Sequence, residues 1–343
     1  MKILIISARN FGDSVIITHL IENINTDNLY IDVLTRKEFI PIFRHCKCIH
    51  KIYTENFPMG TSKKFNIINA ISLLKRILNL RKYNYDMVFN NIGDFRENFL
   101  GWSIGSKENI SVKWYESHPV NSIIRSGFHI FVDKYIEIPK NILNIYQVQK
   151  YIKFKLFGGS DSTENIIQSM DYSFNIIAIH PYASQRSKFW EYENWIQLIE
   201  QFGTEERKVI VFCSPSERDE LDCAFSSVKK KIFIVAKGID EFLETLKCVT
   251  VFIGLDSFSI HAAYMMNVPN LIMLNGANDS RVWAPPMVEV FGGGSNCEHY
   301  PCYNKPKCIG KEYEYICMRS IKTDDIVKKI REMEVNVSFK GDE

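Results

Sequence analysis

Nowhere in the 343 residues does an apolar run approach the roughly 18–20 residues that a membrane span needs. The opening MKILIIS holds only a four-residue apolar run, Ile3 to Ile6, shorter than a secretory signal requires, and reads as a first β-strand. No excess of one charge is present: 42 Lys+Arg face 40 Asp+Glu, a net +2, too balanced for a dedicated nucleic-acid binder. Short-period repeats and low-complexity tracts are absent, and so is the G-x-G-x-x-G dinucleotide fingerprint. Nine cysteines, an odd number without a signal, argue against a disulfide framework and for thiols or a metal site in a reducing cytoplasm.

What is present is ordinary globular composition, 46% hydrophobic and 24% charged. One core stops growing near roughly 250–300 residues, so the length predicts two domains. The balanced charge hides an asymmetry. Residues 1–150 hold 20 Lys+Arg against 13 Asp+Glu, and residues 151–343 hold 22 against 27. A basic first half suits an anionic ligand, although uneven solvation gives the same count.

Short β-branched runs alternate with helix-length amphipathic segments. Strands are predicted at 2–7, 29–35 and 85–90, with helices at 13–24, 37–44, 62–82 and 141–157. FGGSDSTEN (157–165) interrupts the pattern as a linker would. Strands follow at 175–180, 208–213, 249–254 and 270–274, with helices at 193–202, from about Ser216, at 257–266 and at 324–334. The alternation predicts an α/β chain of two doubly wound halves: an N-terminal domain over 1–157, a linker over 158–172 and a C-terminal domain over 173–343. A ligand cleft is expected between them, at the carboxyl ends of the strands.

Five segments carry chemistry. In SARNFGDS (7–14), Asp13 follows the first strand, as either a helix cap or a general base. In IHPYASQRSKFWEYENW (179–195), the hydroxyl of Ser184 with Gln185, Arg186 and Lys188 suits a diphosphate; the alternative is a solvated loop with Trp190 and Trp195 packing below it. Glu217, in CSPSERDEL (213–221), is placed for ribose hydroxyls or for the helix dipole alone. In GLDSFSIHAA (254–263), Asp256 is expected to cap a helix whose amides, at Ser257, Phe258 and Ser259, form an anion site. His261 lies in its first turns, as a packed residue or a ligand neighbour. Cys297, Cys302, Cys308 and Cys317, spaced C-x4-C-x5-C-x8-C with His299 nearby, fit either free buried thiols or a structural tetrahedral Zn or Fe site.

Together, and in this order, these segments resemble the ADP-heptose:lipopolysaccharide heptosyltransferases, glycosyltransferase family 9. MKILIISARNFGDSVIITHLIENI is similar to the family's opening strand, turn and helix, and YDMVFNNIGDFRENFLGWSIGSKENI (85–110) to its second motif. The 179–195 segment, the donor block 254–286 and the cysteine-bearing tail 302–321 complete the likeness. The resemblance implies a GT-B architecture, two Rossmann-like domains facing across a cleft. It implies inverting transfer from ADP-heptose to a hydroxyl of a lipopolysaccharide core saccharide, with no metal required for catalysis.

In that reading Asp13 is the base and Lys188 stabilises the leaving diphosphate. Ser184, Gln185, Glu217, Asp256, Ser257, Phe258 and His261 bind the donor. Asp256-Ser257-Phe258 stands where the family usually reads Asp-Thr-Gly. Arg36, Lys63, Lys64 and Arg96 are candidates to meet an anionic saccharide or glycolipid acceptor, with peripheral contact at the inner face of the cytoplasmic membrane. The alternatives are a protein O-heptosyltransferase, a transferase using another nucleotide sugar, and a catalytically inactive nucleotide-binding paralogue. An oxidoreductase is disfavoured by the missing glycine fingerprint.

Overall fold

In KILIIS every residue after Lys2 is buried, as expected of a parallel strand covered on both faces. In the computed structural model this strand is β1 (Lys2–Ser7). The structure describes residues 1–22, 24, 28–57, 67–122, 124, 129–158, 176–294, 297–303 and 305–338. The chain divides into two units, Met1–Ser162 and Thr163–Glu343. The linker expected over 158–172 lies, beyond Gly158, outside the described residues.

The first unit holds β1, β2 (Tyr30–Thr35), β3 (Ile49–Thr54), β4 (Met87–Asn90), β5 (Glu108–Lys113) and β6 (Lys134–Glu137). Its helices are α1 (Phe11–Ile21), α2 (Ile40–Arg44), α3 (Ile67–Arg81), α4 (Phe95–Ile104) and α5 (Ile145–Phe157). The strands form one parallel sheet in the order β3-β2-β1-β4-β5-β6.

The second unit holds β7 (Ile177–His180), β8 (Val209–Cys213), β9 (Ile232–Ala236), β10 (Val251–Leu255), β11 (Asn270–Asn275) and β12 (Glu289–Gly292). Its helices are α6 (Tyr192–Phe202), α7 (Arg218–Ala224), α8 (Ile239–Leu246), α9 (Phe258–Met265), α10 (Ser280–Trp283), α11 (Ile316–Arg319) and α12 (Thr323–Ser338). The order β12-β11-β10-β7-β8-β9, again all parallel, repeats the first sheet's topology. Both are doubly wound sheets whose winding reverses at the first strand, between β1 and β4 and between β7 and β10. Loops leaving those strand ends diverge and leave a crevice, the usual ligand position in such sheets.

Trp190 and Trp195 are fully buried and meet edge to face at 5.0 Å, as the sequence pattern led us to expect. Such a pair contributes about 0.5–1.5 kcal/mol beyond its burial. It anchors the segment that carries Lys188. Gly276 permits that anchoring, because a Cβ there would stand 2.7 Å from the Ser187 carbonyl oxygen.

Candidate active site

Each switch point gathers one constellation. In the first unit, β1 ends at Ser7, whose carbonyl accepts from Thr35 Oγ1 at 2.7 Å. The chain then turns into α1, whose N-cap is Asn10. Asp13 is therefore not the cap that its position in the sequence allows. It occupies the third helical residue and receives the Asn10 side-chain amide at 3.2 Å. Arg9 Nε stands 3.9 Å from Asp13 Oδ2, and the Asp13 side chain keeps 17% exposure. Burial raises the Asp13 pKa above the usual carboxylate range, opposed by Arg9 and by the Asn10 hydrogen bond. A carboxylate made more basic yet still reachable is suited to taking a proton.

Across the switch point β4 leads to α4, capped by Asp94, which accepts the Arg96 N–H at 3.1 Å. Glu97, which the sequence reading passed over, is 1% exposed. Its Oε2 has no hydrogen-bond partner among the described residues. Burial pushes its pKa up to about 8, with Arg9 lowering it and Asp94 and Asp13 raising it further. The signal was in the sequence: Asp94-Phe95-Arg96-Glu97 has the spacing of a capping box. What the spacing hides is that the glutamate turns inward, to the backbone N–H of Ala8 and the charges of Arg9 and Asp13.

This carries a stability prediction. Between the ordinary glutamate pKa of 4.5 and about 8, the folded state holds a proton that the unfolded chain has released. Stability therefore falls as pH rises through that window, by up to ~1.4 kcal/mol per pH unit, and levels off above it. Glu97→Gln removes this contribution. In urea unfolding the variant is expected to match the parent near pH 5 and exceed it by pH 8. Parallel curves across the window would show that Glu97 ionises normally.

Two of the four acceptor candidates, Arg36 and Arg96, are held by other groups. Arg36 is buried at the end of β2, beside Glu38 at 3.6 Å and over the Phe39 ring at 5.7 Å. Arg96 forks onto Asp94 through Nε at 2.8 Å and Nη2 at 2.7 Å. Lys63 and Lys64 lie outside the described residues.

In the second unit, Lys188 comes from the loop after β7 and Asp256 from the loop after β10. Lys188 Nζ donates to the Asp256 carbonyl oxygen at 2.8 Å and to Asp256 Oδ2 at 3.1 Å. The two side chains are only 12% and 4% exposed. Asn278 Nδ2 donates to the same Oδ2 at 2.7 Å. Tyr300 holds Asn278 in turn, donating to its carbonyl oxygen at 2.6 Å. The stretch between Cys297 and Cys302 thus braces Asp256 through Tyr300, a link that the sequence reading missed.

Asp256 does not cap α9. Ser257 is the N-cap, and its hydroxyl meets Ser259 Oγ at 3.0 Å rather than the helix backbone. The first amides of α9 remain without intrahelical partners, beside the loop that Lys188 reaches. The Phe258 ring packs at 5.9 Å from Phe242. His261 is buried, which lowers its pKa to about 4 and keeps the imidazole neutral near pH 7.

Ser184 is exposed, whereas Gln185 Oε1 is buried with no partner among the described residues. Arg186 pairs with Glu191 at 3.1 Å, away from the Lys188–Asp256 pair. Glu217 Oε2 accepts the Ser214 N–H at 2.8 Å within a capping box, at the carboxyl end of β8.

Cys297, Cys302, Cys308 and Cys317 line one small cavity with His299 and Gly276. Burial and the other three thiols push the Cys317 thiol up to about 11. Among the described residues no three His, Cys, Asp or Glu side chains converge as a metal-ion site.

The family model described as glycosyltransferase family 9 (heptosyltransferase) matches residues 73–313. No curated protein sequence matches the chain. Among solved structures, the chain is similar to a glycosyl transferase family 9 protein from Veillonella parvula DSM 2008, with TM-score 0.73 and 15% identity over 98% of this chain and 97% of that one. The E. coli heptosyltransferase WaaC with ADP-2-deoxy-2-fluoro heptose gives TM-score 0.72 and 13% identity, over 97% and 99% of the chains. The E. coli ADP-heptose lps heptosyltransferase II gives 0.68 and 14%, over 98% and 99%. At these identities the likeness establishes the two-sheet α/β fold that the resemblance implied.

Proposed function

We propose that this chain, which belongs to glycosyltransferase family 9 and is a glycosyltransferase, moves a heptose from ADP-heptose to a hydroxyl of a lipopolysaccharide core saccharide with inversion. The observation that carries this reading is the Lys188–Asp256 pair at the β7/β10 switch point, beside the N-terminus of α9. A cation and a helix N-terminus together make a diphosphate site. The ADP-2-deoxy-2-fluoro heptose in the WaaC structure supports an adenine-nucleotide donor.

In this reading Asp13 removes the proton of the acceptor hydroxyl as its oxygen bonds to the anomeric carbon. The bond from that carbon to the diphosphate oxygen breaks, and ADP leaves with the electron pair. Lys188 and the α9 amides neutralise the charge that develops on ADP. Ser184, Gln185, Ser257 and Phe258 lie along the phosphates and the sugar. Glu217 takes the ribose and His261 backs the site as a neutral ring. This chemistry requires no metal, and transfer is expected to persist in excess EDTA.

The acceptor is an anionic glycolipid, and the protein works in the cytoplasm at the inner face of the membrane. No helix among the described residues is long and apolar enough to cross it.

Thermal unfolding with ADP, UDP, GDP and CDP tests the donor. A ligand at 100 times its Kd stabilises by about 2.7 kcal/mol. A shift selective for ADP is expected. A shift for UDP or GDP instead would overturn the ADP-heptose assignment, and no shift would favour the inactive paralogue.

A further inference from the structure

Helix α3 is apolar on two sides. Leu80 is buried in the core of the first unit, and Leu73 and Ile77 pack against it. Ile67, Ile68, Ile71, Leu74 and Leu78 remain 50–77% exposed. At 3.6 residues per turn, positions 67, 71, 74 and 78 fall on a single narrow stripe, about 120° around the helix from the core side. The charge along this stretch has one sign. Residues 67–82 contain Lys75, Arg76, Arg81 and Lys82 and no acidic residue. Arg76 is taken by Glu55 at 3.1 Å, while Lys75 and Lys82 are exposed.

Helix α4 extends the surface. It packs beside α3, with Arg81 Nε donating to the Ser103 carbonyl oxygen at 2.8 Å. Its exposed aromatics are Phe99 and Trp102, whose rings lie 5.9 Å apart. The one acid of α4, Glu97, is buried. Exposed apolar side chains of this number on two helices packed together mark an interaction site.

We propose that the α3–α4 face docks on an anionic phospholipid bilayer. Ile71, Leu74 and Leu78 enter the headgroup–acyl boundary, Trp102 lies at headgroup level, and Lys75 and Lys82 meet lipid phosphates. Charge selects this occupant. A second copy seated on the same face by two-fold symmetry would bring the basic residues of both α3 helices together, with no acid on α3 to pair them. Aliphatic side chains beside the exposed Lys75 and Lys82, on a helix that carries no acid of its own, match a negatively charged membrane surface instead. The inference gives a surface to the peripheral location proposed above. Its test reads binding alone, so its failure and the failure of the transferase reading are distinguishable.

The test is flotation of the full chain with vesicles of phosphatidylcholine, with and without about 30% phosphatidylglycerol, at low salt, where the attraction is least screened. Binding is expected to the anionic vesicles and to be weak on the neutral ones. The triple substitution Ile71→Ser, Leu74→Ser, Leu78→Ser is expected to lower partitioning at least about tenfold. Lys75→Glu with Lys82→Glu is expected to do the same, since each basic residue contributes roughly fivefold. Melting temperature serves as the check on folding, and the lysine pair is the independent variant should the triple one misfold. Equal binding to both vesicle types, or unchanged binding by either folded variant, would overturn the proposal. So would a wild-type dimer that the serine variant dissociates while neither protein binds vesicles, which would assign the face to a second copy.

Discussion

Asp13→Asn is expected to lower kcat by about 10³-fold while leaving ADP affinity within about twofold. Positioned general bases contribute 10²–10⁴-fold, and the amide keeps the shape and the Asn10 contact while removing the basic oxygen. The residues proposed to hold the donor all belong to the second unit, so on that reading the nucleotide loses nothing directly. Steady-state ADP release and calorimetric ADP titration measure the two quantities separately. Loss of ADP binding in a folded variant would remove the base assignment. The pH dependence offers a second reading. Burial raises the Asp13 pKa, and a base works only when deprotonated. The acid limb of kcat should therefore lie above the ordinary carboxylate range, and activity should fall as pH drops through it.

Lys188→Met carries the other large effect, and it acts on two observables. Removing the cation leaves Asp256, 4% exposed, as a buried charge held only by Asn278 and its surroundings. Breaking such a pair costs about 3 kcal/mol, or roughly 6–12 °C in Tm for a unit of this size. On the proposed mechanism the same substitution also removes the charge that meets the leaving diphosphate, an expected loss of about 10²–10³ in kcat. Adding Asp256→Asn separates the two. The double variant should regain much of the Tm, because the uncompensated carboxylate is gone, and none of the activity. Recovery of both would make Lys188 a structural partner of Asp256 and nothing more.

How far the sequence carried the fold can be followed strand by strand. The strands legible beforehand, β1, β2, β4, β7, β8, β10 and β11, are seven of the eight inner strands of the two sheets. Those not anticipated are β3, β5, β6, β9 and β12. Four of these five are sheet edges. An inner parallel strand is covered on both faces and commonly reads as a continuous apolar run, whereas an edge strand such as IHKIYT or KYIE is half solvated, and inner β5 buries Asn109 and Ser111. The helix α4 was missed for a related reason. Its buried residues include Glu97 and Asn98, so its apolar period is weak.

The site divides along the same line. Local sequence alone determined that an acid follows β1, that a lysine follows β7, and that an acid and a helix start follow β10, because these positions depend only on where strands end and helices begin. Tertiary structure decided which groups meet. Lys188 and Asp256 lie 68 positions apart and become partners only because β7 and β10 are neighbours in the sheet. Glu97 joins Arg9 and Asp13 because β4 pairs with β1. The bracing of Asp256 through Asn278 and Tyr300 and the bare stripe of α3 have the same origin. Hydrogen bonds between distant residues, and the choice of which helix face is covered, are set by packing, and packing leaves no periodicity in the chain to read.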